Sequence, residues 1–231
     1  ERGHTVAVHG RSQAKLESLA TELSLPEDRV FQADLSRIED AENFARRARQ
    51  IPLDVLINNA GVFRSPGEGP NGMDLRFMVN TLAPYLICRR LGDHVSRFVN
   101  LSSAAQAQVD LPRLIAGQVS EDEGYAQSKL GLTMWNYALA QEGGPDFVSV
   151  NPGSLLATKM VREGYGIAGH DVSHGADILV KLAEGFGETG SYFDGDSGRF
   201  APPHPAARDL AGCQALVKAL DEQLRKLGCD L

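Results

Sequence analysis

The sequence predicts an α/β protein, a doubly wound parallel sheet with helices on both faces in three layers. Three observations carry that prediction. Short apolar runs of strand length alternate with segments of helical periodicity along the chain. The residues that follow those runs are small or hydrogen-bonding, as in Gly10-Arg11-Ser12, Asn58-Asn59-Ala60-Gly61 and Asn151-Pro152-Gly153. Ligands of open parallel sheets gather at such strand ends. No internal repeat, low-complexity tract or linker divides the 231 residues, so one domain over 1–231 is expected.

Thr5 to His9 reads as the first strand, and Ser12 as the cap of a helix with Leu16, Leu19, Ala20 and Leu23 inward. Arg29 to Ala33 is the next strand. Ser36 opens a second helix to about Gln50, with Ile38, Ala41, Ala45 and Ala48 inward and Arg46, Arg47 and Arg49 on a solvated edge. Leu53 to Ile57 is a third strand, followed by a Pro/Gly-rich loop from Phe63 to Gly72 and a long helix from about Met73 to Leu91. Arg97 to Leu101, Phe147 to Val150 and the short run Ser191 to Phe193 are the remaining strands. Helices are expected over Gly124 to Gln141, about Asp171 to Glu184, and Cys213 to Lys226.

A 42% apolar content is ample for a core, and a net charge of −7 supplies no basic field for nucleic acid. No run approaches the roughly 20 apolar residues of a membrane span. Glu1 to His4 do not read as a signal peptide. Cys88, Cys213 and Cys229 are odd in number and lack metal spacing, which fits reduced thiols in a cytoplasm. His170 and His174 fall four residues apart, but no third metal ligand stands out, so a metal-assisted hydrolase is a minor reading.

The chemistry concentrates in Tyr125-Ala126-Gln127-Ser128-Lys129. Residues four apart share a helix face, so the phenol and the ammonium can reach one ligand. A tyrosine titrates near ~10 and carries protons poorly at neutral pH unless its anion is stabilised. A positive charge about 4 Å away, at an effective dielectric of about 20, supplies up to roughly 4 kcal/mol of that stabilisation.

Around this pair stand Asp34-Leu35, Asn58-Asn59-Ala60-Gly61, Asn80, Ser102-Ser103 and Asn151-Pro152-Gly153, in that order. The ordered set resembles the short-chain dehydrogenase/reductase family, single-domain type, whose fold is Rossmann-like. The resemblance implies that Tyr125 is the acid/base and that Lys129 lowers its pKa and holds the nicotinamide ribose. It further implies that Ser103, rather than Ser102, bonds the substrate oxygen, and that Asn80 interrupts its helix to hold a water leading from Lys129. Asp34 and Leu35 would meet the adenine, and Asn58, Ala60 and Gly61 the adenosine ribose. Pro152, Gly153 and Thr158 would meet the nicotinamide end, although the spacing from Gly153 to Thr158 is one residue longer than the family's. Relatives pair as homodimers or homotetramers through the helices that carry Asn80 and Tyr125, where Met134, Trp135 and Leu139 could serve.

The stretch that matches the family's second strand end is His9-Gly10-Arg11-Ser12. It has no acid for a ribose hydroxyl, and Arg11 could meet a 2′-phosphate by a charge-assisted bond, so NADP(H) is favoured over NAD(H). An extra stretch, Val109 to Glu123, separates Ser103 from Tyr125, as in the retinol-dehydrogenase-like branch. It is expected at the substrate mouth and points to a bulky or lipophilic carbonyl or alcohol.

The family's Gly-rich first turn is not in its expected place ahead of Thr5. The sequence therefore reads as an N-terminally truncated relative lacking the first strand and that turn, with unpaired edges expected beside the strands at Thr5 and Leu53. Two functions follow: an NADP(H)-dependent oxidoreductase of carbonyls and secondary alcohols, or a non-catalytic relative that cannot hold dinucleotide or only senses it.

Overall fold

The computed structural model describes residues 2–64, 69–154 and 171–231. Its strands are β1 (Val8–Gly10), β2 (Val30–Gln32), β3 (Val55–Asn58), β4 (Arg97–Leu101), β5 (Asp146–Asn151), β6 (Tyr192–Asp194) and β7 (Arg199–Phe200). Its α-helices are α1 (Gln13–Glu22), α2 (Ile38–Ala48), α3 (Leu75–Phe77), α4 (Ala83–Leu91), α5 (Leu111–Ile115), α6 (Glu121–Glu142), α7 (Val172–Ala183) and α8 (Leu210–Lys226). The architecture is the expected α/β class. All ladders are parallel except β6–β7.

The strands form two ladders, β1-β2 and β3-β4-β5-β6-β7. Among the described residues β1 pairs only with β2, and β3 only with β4. The expected first strand over Thr5 to His9 shortens to Val8–Gly10, because pairing with β2 begins at Val8. The helix after it departs further from expectation. Ser12 occupies the N-cap position but its side chain makes no capping bond, and only Leu16 is buried. Leu19 and Leu23 are exposed, so among the described residues only the Leu16 end of the apolar stripe read from the sequence is covered.

The five-stranded sheet places the core by its period of two. Phe98 and Phe147, stacked with centroids 5.0 Å apart, face the main core beneath α4 and α6. Val99, Leu101, Val148 and Val150 face Ile178 and Leu182 of α7 on the opposite side. On α2, Ile38, Ala41, Ala45 and Ala48 are buried as expected, with Phe44 added to them. That helix is capped by Arg37 rather than opened by Ser36.

The long helix expected from Met73 is interrupted. Asp74 caps α3 by accepting from the Arg76 and Phe77 amides, a five-residue π-helical turn (Met78–Leu82) follows, and α4 completes the run. π-turns of this kind widen a helix at the cost of regular bonding. In contrast, α6 is a regular 22-residue rod that begins at Glu121. Ser120 accepts from the Glu123 amide while the Glu123 carboxylate accepts from the Ser120 amide, and this capping box fixes its start.

The C-terminal helix α8 lies over α6 and buries Leu216, Val217, Leu220 and Leu224. Trp135 and Leu139 of α6 lie in that core at 0% and 3% exposure, and Met134 at 6%. They are core residues. Tyr85 packs edge-on against Trp135, and its hydroxyl donates to Asp221 of α8.

Candidate active site

The π-turn turns Asn80 toward α6. Its amide donates to Ser128 Oγ at 3.0 Å and to the Val62 carbonyl at 2.9 Å, and its oxygen accepts from the Val62 amide at 2.9 Å. Ser128 Oγ in turn donates to the Tyr125 carbonyl at 2.8 Å. One buried amide therefore locks three segments together: the loop after β3, the π-turn, and the first turns of α6.

Lys129 is 4% exposed, and its Nζ donates to the Leu101 carbonyl at 2.7 Å. The same ammonium sits 5.8 Å from the centroid of the Tyr125 ring. No carboxylate among the described residues lies within 4.0 Å of it, so burial is uncompensated by an ion pair. Burial drives the Lys129 ammonium down to about 8. Tyr125 is half-buried, with Phe63 packed against its ring at 4.7 Å.

The two serines after β4 divide as strand alternation requires. Ser102 is buried, with its hydroxyl 2.6 Å from Thr133 Oγ1 and 3.3 Å from the Lys129 carbonyl. Ser103 is half-buried, and its Oγ accepts from the Ala105 amide at 3.1 Å. Ser102 thus fastens the end of β4 to α6, and Ser103 stands at that strand end beside Leu101, whose carbonyl holds Lys129. Asn80 is thus joined to Tyr125 through Ser128, and Lys129 is tied to β4 two residues before Ser103.

Two further side chains support Ser103 and had no sequence signal. The Tyr192 hydroxyl donates to the Ser103 carbonyl at 3.1 Å, and Gln106 Nε2 donates to the same oxygen at 3.0 Å. Tyr192 is 89 residues from Ser103. Burial, reinforced by the nearby Asp194 and Asp196 charges, raises the Tyr192 phenol. It remains a hydroxyl donor across the physiological range.

The expected dinucleotide contacts are less uniform. Arg11 is exposed at the end of β1, and Ser12 half-buried beside it. Asp34 Oδ1 accepts from the Ser36 amide at 3.0 Å, so part of its acceptor capacity holds the turn into α2. Leu35, expected behind the adenine, is 7% exposed and packs into the core. Asn58 corrects an expectation. Its Nδ2 donates to Asn100 Oδ1 at 2.7 Å, and Asn100 donates onward to Asn136 at 2.7 Å, so this amide bolts β3 to β4 and α6 rather than facing a ribose.

Ala60 is exposed and Gly61 half-buried in the loop beyond β3. Pro152 and Gly153 follow β5 half-buried, Gly153 with φ of +119°, a conformation that favours glycine. Thr158 and His170 lie outside the described residues. Among the described residues no cluster of metal-ligating side chains occurs.

Within the Val109 to Glu123 stretch, Asp122 pairs with Arg64 at 3.5 Å, next to Phe63 on the Tyr125 ring. Val109, Leu111 and Arg113 line a groove of about 690 Å³ with Gln127, Met134 and α8. Gln127 and Met134 lie on the face of α6 opposite Tyr125 and Lys129, as the helical period dictates.

A nicotinamide dinucleotide can be tested against this donor set. The uncompensated Lys129 ammonium beside a phenol, and the left-handed Gly153 after β5, suit its nicotinamide and ribose end. Among the described residues no glycine-rich turn leads from a strand into a helix to take the pyrophosphate. Gly185, Gly187 and Gly190 have a suggestive spacing, but they join α7 to β6, and a Cβ at Gly187 would collide with Phe200.

The comparisons with known proteins agree with this geometry. The family model of the short chain dehydrogenase matches residues 1–166. The short-chain dehydrogenase chry4 of Gibberella zeae is 28% identical over 239 residues, covering 96% of this chain and 88% of that protein. A crystal structure of an uncharacterised protein from Mycobacterium paratuberculosis superposes with a TM-score of 0.79 at 26% identity, covering 97% of this chain and 85% of that one. The landomycin C-6 ketoreductase LanV, solved with bound NADP and rabelomycin, is similar with a TM-score of 0.62 at 25% identity, covering 84% of each chain. No helix among the described residues is long and apolar enough to cross a membrane. With nearly three quarters of its length matched by the family model, the chain belongs to the short-chain dehydrogenase family of oxidoreductases.

Proposed function

We propose that the protein interconverts a carbonyl and a secondary alcohol with NADP(H), acting as one catalytic domain in a reducing cytoplasmic compartment. The observation that carries this reading is the buried Lys129 ammonium, held at Leu101 and set against the Tyr125 ring without a carboxylate to neutralise it. A protein that keeps a charge in such a place gains from it only if an anion forms nearby, and the Tyr125 phenolate is that anion. Bound nicotinamide would supply or accept the hydride. Tyr125 passes the proton to or from the substrate oxygen, and Ser103 Oγ holds that oxygen as charge develops. Asn80 keeps the first turns of α6 in register with the π-turn, which sets where the phenol points.

The NADP(H) preference rests on Arg11, exposed beyond β1 with no acid beside it in Gly10-Arg11-Ser12. LanV, with its bound NADP, supports it by likeness. Phe63, packed on Tyr125, gives the site an aromatic wall and favours a lipophilic substrate. The test is NADPH binding by fluorescence, followed by NADPH oxidation against a panel of aromatic and aliphatic ketones and aldehydes. Arg11→Ala should weaken NADPH about tenfold and leave NADH unchanged, the value of one charge-assisted bond. Equal losses for both dinucleotides overturn the assignment of Arg11. Failure to bind either one favours the non-catalytic reading.

The homodimer or homotetramer expected from relatives would pair elsewhere than at Trp135 and Leu139, which are buried in the core. Light scattering should give a dimer or tetramer; a monomer overturns this.

A further inference from the structure

The turn between β6 and β7 grips the turn that follows β5. Asp196 accepts from the backbone amide and the hydroxyl of Ser154, both at 2.6 Å, and from the Asn151 side-chain amide at 2.8 Å. Asn151 also donates to Asp194 at 3.0 Å, and the Gly195 amide donates to the Asn151 carbonyl at 2.7 Å. The two turns touch so closely that a side chain cannot stand between them. A Cβ on Gly195 would fall 2.6 Å from the Asn151 oxygen and 2.7 Å from the Gly153 nitrogen.

Pro152 and Gly153 are therefore bracketed. Asn151 before them and Ser154 after them are held by one carboxylate, through bonds of the charge-assisted kind that are about twice as strong as neutral ones. Gly153 sits between these anchors at φ +119°, so its carbonyl and amide have little freedom left. Such a brace has no need to touch the reacting atoms. It acts on where the backbone of the Pro152-Gly153 turn lies.

We infer that Asp196 is a positioning residue that fixes the Asn151–Ser154 turn for the nicotinamide end of the dinucleotide, setting cofactor affinity rather than proton transfer. The inference rests on the proposed reading of Pro152 and Gly153 as a cofactor turn. An asparagine at 196 keeps the volume but points an NH2 donor at donors. Removing the Ser154 hydroxyl deletes one arm of the brace.

The experiment measures NADPH Kd by fluorescence, with kcat and the KM for NADPH by steady-state kinetics, on wild type, Asp196→Asn, Ser154→Ala and the double variant. Asp196→Asn should raise Kd and KM for NADPH about tenfold and keep kcat at saturating NADPH within about twofold. Ser154→Ala should raise Kd about threefold alone and add less in the Asp196→Asn background, as coupled residues do. If Asp196→Asn melts early, the Ser154→Ala shift in Kd decides. A wild-type Kd in both variants, or a loss confined to kcat, overturns the inference while leaving the function standing. Wild-type protein that binds no NADPH overturns the cofactor reading and this inference together.

Discussion

Tyr125→Phe should lower turnover by about 10²–10⁴-fold and leave NADPH affinity within about threefold. The substitution removes one oxygen and keeps the ring, and the ring is what the structure packs. Phe63 lies 4.7 Å from it on one side, and the Lys129 ammonium stands 5.8 Å from its centroid. Neither contact needs the hydroxyl, and the Ser128 bond to residue 125 goes to the backbone carbonyl. Proton transfer should therefore fail while these ring and backbone contacts are kept. The measurement is kcat at saturating NADPH beside a thermal melt. Turnover within about threefold of wild type would refute the acid/base role, and an early melt would show that the loss is structural.

The parts of this molecule that were legible in the sequence are those whose neighbours are close in the chain or whose pattern is strongly periodic. β4 appears over Arg97–Leu101 as expected, because Phe98, Val99 and Leu101 give a strand-length stretch that is mostly apolar and buried in mid-sheet. The buried face of α2 is likewise as read. α1 fails because periodicity reports a stripe without reporting whether anything covers it, and Leu19 and Leu23 are left exposed. The antiparallel β7 is two residues long and carries no signal of its own.

The candidate site divides in the same manner. Asn80, Ser103, Tyr125 and Lys129 are recognisable by type and order, and the structure links Asn80 to Tyr125 through Ser128 and Lys129 to the Leu101 carbonyl. The inward turn of Asn58 depends on Asn100 and Asn136, which sit 42 and 78 positions away and look like unremarkable amides. Tyr192 and Asp196 act from a hairpin that reaches the site only through the sheet. No local pattern could expose such residues, because their roles are created by tertiary pairing.

Lys129→Met should abolish turnover and at the same time raise stability at pH 7. The ammonium is buried, and among the described residues its hydrogen bond is to the Leu101 carbonyl at 2.7 Å. Burial holds its pKa near 8 against an ordinary lysine value of 10.5, a displacement worth on the order of 3 kcal/mol. Methionine fills a similar volume with no charge to desolvate. Against that gain stands the lost donor to Leu101, about 1 kcal/mol. The net expectation is a variant more stable by on the order of 1–2 kcal/mol, the balance of those two terms.

The sign can be checked by titration. Below pH 8 the lysine is protonated in both the folded and unfolded chains. Between about 8 and 10.5 the unfolded chain holds the proton and the folded chain has released it, so wild-type stability should rise with pH across that window. The methionine variant should lack this increment. Denaturant melts of both proteins at pH 7 and pH 9.5 measure it: a difference in stability that shrinks toward the higher pH supports the assignment. A variant that is less stable at pH 7, or a difference that does not change with pH, would mean that Lys129 is held as a comfortable cation. In that case the argument that its charge is kept for a phenolate at Tyr125 falls with it.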